Sequence, residues 1–447
     1  MSTIVRSAFG VMLAAVTAVA CQALEHDIAP AATTAASGSA LADINPAYLY
    51  GRIVTDSGDT YEGRLRWGRD EEAFWGDYFN GTKDGNPWVR HLPEDLRPLE
   101  RRPIEIFGFK IPDRTESDVR RPFMARFGDI ARIDAHGFKK VRVTLKSGTV
   151  VDLDRLAAND FDDGVRVWDA TRGVVDLASW AGGIPPPSRR RIRAIEFLAT
   201  ARPGTASDRL HGTVRTRHGD FTGFVQWDRQ ASVGDDALEG RAADQDLSVR
   251  FATIRAIARR SPDSAVVTLL DGGEIEMSGT RDVGDGSRGM YVDDQRFGRV
   301  LISWDAFERI DFSPGGGGPA YGEFPPGRPL RGTITTRIGR RLTGRIVYDL
   351  DESEICETLD APAEGVDYTI PFGLIASIVP GVDGRPSVTL HNNERLKLER
   401  AGDLGAGNAG LLVFVDGGAP PEYIPWIDVA QIDFERPVAM YPSLGGR

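Results

Sequence analysis

The chain has 447 residues, 41% of them hydrophobic and 27% charged, with a formal net charge of −11. That length exceeds one ordinary core and suits two to four domains, while the acidic balance repels phosphate backbones and argues against nucleic-acid binding. The 51 glycines favour a fold with many turns.

At the N-terminus one cation, Arg6, precedes an apolar stretch over residues 8–20. The stretch is long enough for a signal peptide and too short to span a bilayer. Ala18, Val19 and Ala20 end it, and Cys21 follows. This arrangement resembles a bacterial lipobox, in which the cysteine is lipidated and becomes the new N-terminus; Ala18 stands where leucine is usual. Two readings follow. One is a lipoprotein anchored through Cys21. The other is a soluble periplasmic or secreted protein cleaved at the same small residues. Gln22 in place of Asp, by resemblance to known sorting behaviour, points to the outer membrane. Loss of residues 1–20 removes only Arg6, so −11 becomes −12. Residues 21–47 are rich in small residues and read as a flexible tether. Cys356 is the only other cysteine, so no disulfide is expected within the folded part. No other apolar stretch reaches membrane-spanning length.

Beyond the tether the sequence repeats. Residues 49–68, 210–228 and 330–349 each alternate polar and apolar residues, turn at a glycine, and alternate again up to Trp or Tyr. That period of two predicts a β-hairpin. Gly58, Gly219 and Gly339 occupy the turn, each seven residues after Gly51, Gly212 and Gly332. Phe127, Phe251 and Phe372 then each begin an aromatic-x-x-Ile-x-x-Ile pattern, ending in Ile133, Ile257 and Ile378. Val-Thr-Leu strands follow at Thr144, Thr268 and Thr389, with Gly148, Gly272 and Asn393 four residues later. Asn replaces Gly where a backbone turns left-handed. Trp180, Trp304 and Trp426 come next, and the last two restart the closing pattern with Ile310 and Ile432.

Each module is thus a tandem of two similar halves. The half-module resembles an SH3-like or Sm-like small β-barrel, with a glycine-turned hairpin and a closing turn before the final strand. The predicted fold class is all-β: three tandem modules, each of two SH3-like small β-barrel halves, with few short helical turns. Such barrels host unrelated functions, so the resemblance carries none here. Module 1 covers residues 48–198, module 2 residues 209–313 and module 3 residues 330–435. A Gly/Pro linker spans 314–329, and a tail follows from 436 to 447. Module 1 carries an insertion at about residues 70–122, measured against the shorter spacing in the other modules.

Chemistry-bearing motifs are sparse. Gly284, Gly286 and Gly289, and Gly405, Gly407 and Gly410, match a glycine-rich nucleotide loop, but strands rather than helices follow, so both read as repeated turns. Asp282, Asp285, Asp294 and Asp403 read as turn aspartates rather than calcium ligands. The six histidines show no zinc spacing, and no cofactor or metal is expected. No nucleophile elbow or Ser-x-x-Lys signature occurs. The insertion supplies candidate binding residues: Trp75, Tyr78, Phe79, Trp88 and His91. They either meet a ligand or cap the first module.

The expectation is a non-catalytic cell-envelope binding or scaffold protein, with no polar constellation copied between modules. It would present β-barrel edges and loops to a protein, peptide or glycan partner, without nucleic acid, and would touch the membrane only through Cys21. The alternative is an envelope-polymer hydrolase with its site in the insertion. Cys21→Ser should abolish fatty-acid labelling and release the protein from membranes. An unlabelled wild-type protein would leave the soluble reading in place.

Overall fold

A row of apolar residues crosses each module at right angles to the strands. The computed structural model describes residues 45–438, apart from 69–70, 97–103, 107–108, 112–120, 156–160, 162, 182–190, 201–208, 244, 280–281, 382–384, 416 and 418. The leader, Cys21 and most of the tether lie outside the described residues.

Module 1 contains β1 (Tyr50–Thr55), β2 (Thr60–Trp67), β3 (Tyr78–Thr82), β4 (Ile104–Ile106), β5 (Phe109–Ile111) and β6 (Pro122–Arg126). It continues with β7 (Ile130–His136), β8 (Lys140–Leu145), β9 (Val150–Asp154), β10 (Val165–Asp169), β11 (Gly173–Leu177) and β12 (Ile192–Phe197). Module 2 contains β13 (His211–Thr216), β14 (Gly219–Gln226), β15 (Ala237–Ala242), β16 (Gln245–Arg250) and β17 (Ile254–Ser261). It ends with β18 (Ser264–Leu269), β19 (Glu274–Ser278), β20 (Met290–Asp294), β21 (Gly298–Ile302) and β22 (Phe307–Phe312). Module 3 contains β23 (Arg331–Thr336), β24 (Arg341–Val347), β25 (Thr358–Ala363), β26 (Val366–Pro371) and β27 (Ile375–Val379). It ends with β28 (Ser387–Leu390), β29 (Arg395–Lys397), β30 (Leu411–Val415), β31 (Glu422–Ile424) and β32 (Val429–Phe434). The protein is all-β, and no helix among the described residues reaches seven residues.

The three modules share one strand order. Module 1 runs β11-β10-β2-β1-β12-β7-β8-β9, and module 3 runs β31-β30-β24-β23-β32-β27-β28-β29. Module 2 has the same eight positions, from β21 to β19, extended by β15 and β16. All the pairings within these sheets are antiparallel. No sheet closes into a barrel. The two halves expected to stand side by side are instead fused. The final strand of each module lies between the first hairpin strand and the strand that closes the first half, and pairs with both.

That fusion explains why both halves carry the same closing pattern. The closing isoleucines face each other across the strand pair: Ile133 with Ile195, Ile257 with Ile310, Ile378 with Ile432. In module 1 the row reads Tyr61, Ile53, Ile195, Ile133, Val143. In module 2 it reads Phe221, Val214, Ile310, Ile257, Val267. In module 3 it reads Leu342, Ile334, Ile432, Ile378, Val388. Every member is buried, and each contributes about 1.5–3 kcal/mol by leaving water. Three of the closers begin as a single 3-10 turn, at Phe127–Asp129, Phe251–Thr253 and Phe372–Leu374, and a fourth does so at Trp426–Asp428. Asn393 adopts φ 71°, as Gly148 and Gly272 do at 89° and 91°.

Glycine is required on the hairpin itself. Gly51 pairs with Gly63, Gly212 with Gly223 and Gly332 with Gly344. A Cβ on Gly223 would stand 2.0 Å from the Asp293 carbonyl oxygen, and one on Gly63 would stand 1.9 Å from that of Trp168. The hairpin therefore passes its neighbour closer than any side chain allows.

The modules are joined through strand pairing, apolar packing, buried ions and the linker. β21 of module 2 pairs with β26 of module 3, so these two modules share a twelve-stranded sheet and one contiguous apolar core. Module 1 has its own core, completed by Phe224 of module 2 and Phe324 of the linker. It meets module 2 through buried ions. Arg299 bonds Asp293 at 3.1 Å, lies 3.9 Å from Asp77 and stacks over Tyr78 and Tyr291. The Gly/Pro linker is packed down at its centre. The Tyr321 hydroxyl donates to the Ile130 carbonyl at 2.9 Å, and Phe324 is buried beside Trp75.

Gly223→Ala should lower stability by about 1–3 kcal/mol through overpacking, read as a lower thermal midpoint. A midpoint equal to wild type would mean that the close approach is not needed.

Candidate functional site

The loop that follows the first hairpin recurs in all three modules and carries a polar group. The N–H of Trp67, Trp227 and Tyr348 donates to the carbonyl of Glu71, Ala231 and Glu352. Asp77 then accepts two successive N–H bonds, from Glu72 at 2.9 Å and Ala73 at 2.8 Å. Asp236 does the same for Ser232 and Val233, and Glu357 for Ser353 and Glu354. A polar constellation is therefore copied, contrary to the sequence expectation. Its role is to satisfy backbone donors in a loop that must leave the sheet edge. The glycine-rich loops do similar work. Asp282 accepts from the Glu239 N–H and Asp403 from the Asp360 N–H, while their carbonyls accept from Trp227 and Tyr348. Among the described residues no group of acidic, His or Cys side chains is arranged to hold a metal.

The five candidate residues of the insertion separate into two groups. Trp75, Tyr78 and Phe79 are buried. Trp75 packs on Phe324 and on the Arg126 guanidinium. Phe79 meets Trp67 and Phe127 edge-on. Burial pushes the Tyr78 hydroxyl up to about 12. Trp88 and His91 are half-buried and project onto module 3, with ring centres 6.0 and 5.5 Å from that of Phe414. The structure thus keeps Trp75 and Phe79 in the module 1 core, buries Tyr78 under Arg299 at the joint with module 2, and places Trp88 and His91 at the joint with module 3.

Beside that joint lies a cavity of about 230 Å³. Lys83, Arg121, Pro122 and Met124 line it from module 1, and Asp349, Asp351, Glu352, Glu357, Asp360 and Asp403 from module 3. Lys83 Nζ reaches Asp351 at 2.6 Å and Glu357 at 3.1 Å. Burial works against its charge, but Glu357 and Asp351 outweigh it and hold the ammonium above its usual range. The module 3 carboxyls are crowded. Burial raises Asp349 to about 6 against the Ala409 N–H and Arg121. Burial and then Asp360 raise Asp403 to about 8. Burial and then Asp351 push Glu352 well above the carboxylate range. Its Oε2 is buried without a hydrogen-bond partner.

Of this cluster only Asp403 was named from sequence, as a turn aspartate. Acidic residues are spread over residues 349–403, and only the fold gathers them. The arrangement can hold protons near neutral pH and can neutralise a cation. At about 230 Å³ it is smaller than the roughly 300–1,000 Å³ of ordinary small-molecule sites. Comparison with known proteins found no matching family model, no similar curated protein and no similar solved structure.

The raised carboxyls give stability a pH dependence. A carboxyl with a raised folded value binds its proton more tightly in the native state, so its contribution is complete below about pH 4 and is lost as pH rises through the folded value. Asp403→Asn keeps an acceptor for the Asp360 N–H and removes the charge. Its thermal midpoint should exceed that of wild type at pH 8 and converge with it near pH 4. A variant no more stable at pH 8 would show that Asp403 is not held protonated.

Proposed function

We propose that the protein is a non-catalytic scaffold or binding protein of the cell envelope, presenting strand edges and loops to a protein or peptide partner. The observation that carries this reading is the joint between modules 2 and 3. There one module already binds another by adding strand to strand, β21 to β26, which is the physics of β-augmentation. Equivalent edges elsewhere stand at the ends of their sheets. β11 ends the module 1 sheet and β16 ends the twelve-stranded one. The copied polar groups serve backbone turns, which also fits a framework selected for shape.

Within this reading each module is a pair of interlocked SH3-like halves. One five-strand set in module 2 is β22-β13-β14-β20-β21 and the other is β17-β18-β19-β15-β16. Each begins the sheet order with the strand that follows a closing aromatic turn. Export, a lipid anchor at Cys21 and an outer-membrane address complete the proposal. No helix among the described residues is long and apolar enough to cross a membrane.

The alternative, a hydrolase acting on an envelope polymer, draws on the cavity beside Trp88 and His91, whose carboxyls ionise at different pH. Photo-crosslinkers at Val174 on β11 and Ser248 on β16, activated in intact cells, should each capture a discrete protein neighbour. Recovery of no specific neighbour would count against the scaffold reading. Turnover of a wall or polysaccharide substrate, lost in Trp88→Ala or His91→Ala, would replace it with the hydrolase.

A further inference from the structure

We infer that copies of this chain join head to tail, β11 of one copy pairing antiparallel with β16 of the next. The inference rests on the edge-presenting scaffold reading and names its partner. β11 occupies in module 1 the position that β21 occupies in module 2, as the outermost strand beyond β10 and β20. β16 occupies in module 2 the position that β26 occupies in module 3, as the second strand of the hairpin with β15 or β25. The chain joins β21 to β26. It leaves the counterparts β11 and β16 at the ends of their sheets.

Burial follows the pairing. Gly298, Arg299 and Val300 on β21 are buried, whereas Gly173 and Val174 on β11 are exposed, Val174 by 54%. On β16, Gln245, Asp246 and Ser248 are exposed. An open edge carrying an exposed valine is a template for another strand.

The internal joint also fixes the register. Arg299 faces Thr369 and Leu301 faces Asp367. Gly298 pairs with Asp294 as Gly173 pairs with Asp169. Val366 pairs with Ala363 as Gln245 pairs with Ala242. Carried over, Val174 faces Ser248, Val175 faces Leu247, and Asp176 faces Asp246. The last pair is like-charged, but each carboxylate has its own guanidinium on the inner strand, Arg166 at 2.7 Å and Arg241 at 3.8 Å. The row across the joint is therefore Arg, Asp, Asp, Arg. The contact joins two different surfaces, so it propagates rather than closing on a two-fold axis.

The test is sedimentation velocity on the protein carrying Cys21→Ser, purified from cells, across a wide concentration range. The unaltered edges should give concentration-dependent association. Val174→Lys with Ser248→Lys places like charges opposite each other and should weaken it by about fivefold or more. Val174→Glu with Ser248→Lys should restore it. Both positions, 174 and 248, are exposed surface, and matching melting curves check the fold. A protein that stays monomeric throughout overturns the inference, as does association indifferent to both charge pairs. In either case crosslinks from Ser248 to a different protein in cells would leave the scaffold reading standing.

Discussion

Everything in this molecule depends on a strand that arrives late. β12 must insert between β1 and β7, made far earlier in the chain, and β22 and β32 repeat the act in their own modules. What holds the strand is the apolar row in which Ile195, Ile310 and Ile432 each lie between two other buried residues. A one-residue slip would turn each isoleucine to the opposite face and break the row at its centre. The row is also what prevents two separate barrels. Once the closing strands of both halves pair with each other, neither half can close on itself, and the module becomes one sheet.

The repeat, the hairpins and the closing turns were legible in the sequence, because each is a local signal. Asn393 reads as a left-handed turn from its alignment with Gly148 and Gly272, and it adopts one. Fusion of the halves was not legible. Period-two alternation says which face a residue occupies but not which strand lies beside it. The sequence does hold a trace of the fusion, since Ile257 and Ile310 end the same pattern, but similarity between two strands does not predict that they pair. The copied carboxylate was hidden for another reason. It changes from Asp in modules 1 and 2 to Glu in module 3, and its spacing from the aromatic shifts by one residue. The candidate aromatics divided because composition alone cannot separate a core from a surface: Phe79 is buried and Trp88 half-buried only nine positions later.

The joints between modules use chemistry that the repeat does not copy. Arg299 sits among Asp77, Asp293 and two tyrosines, whereas Lys83 enters a crowd of carboxyls. Buried charges cost desolvation that their partners only partly return, so such joints contribute little net stability. Their value is selective. An arginine with the wrong module opposite it would be buried and unpaired, which costs far more than the correct pairing contributes. Three modules with one shared framework would otherwise be interchangeable, and these ions give each interface a single solution.

The same logic separates joined edges from open ones. β21 carries Val300 and Ile302, both fully buried, against β26. β11 keeps Leu177 buried but places Asp176 and an exposed Val174 outward. A strand edge whose positions are charged resists indiscriminate pairing, yet Val174 and Val175 retain the residues that suit a strand. The framework therefore makes every module a potential neighbour of every other. Side chains on the strands then distinguish the edge paired within the chain, β21, from the edges that end their sheets, β11 and β16.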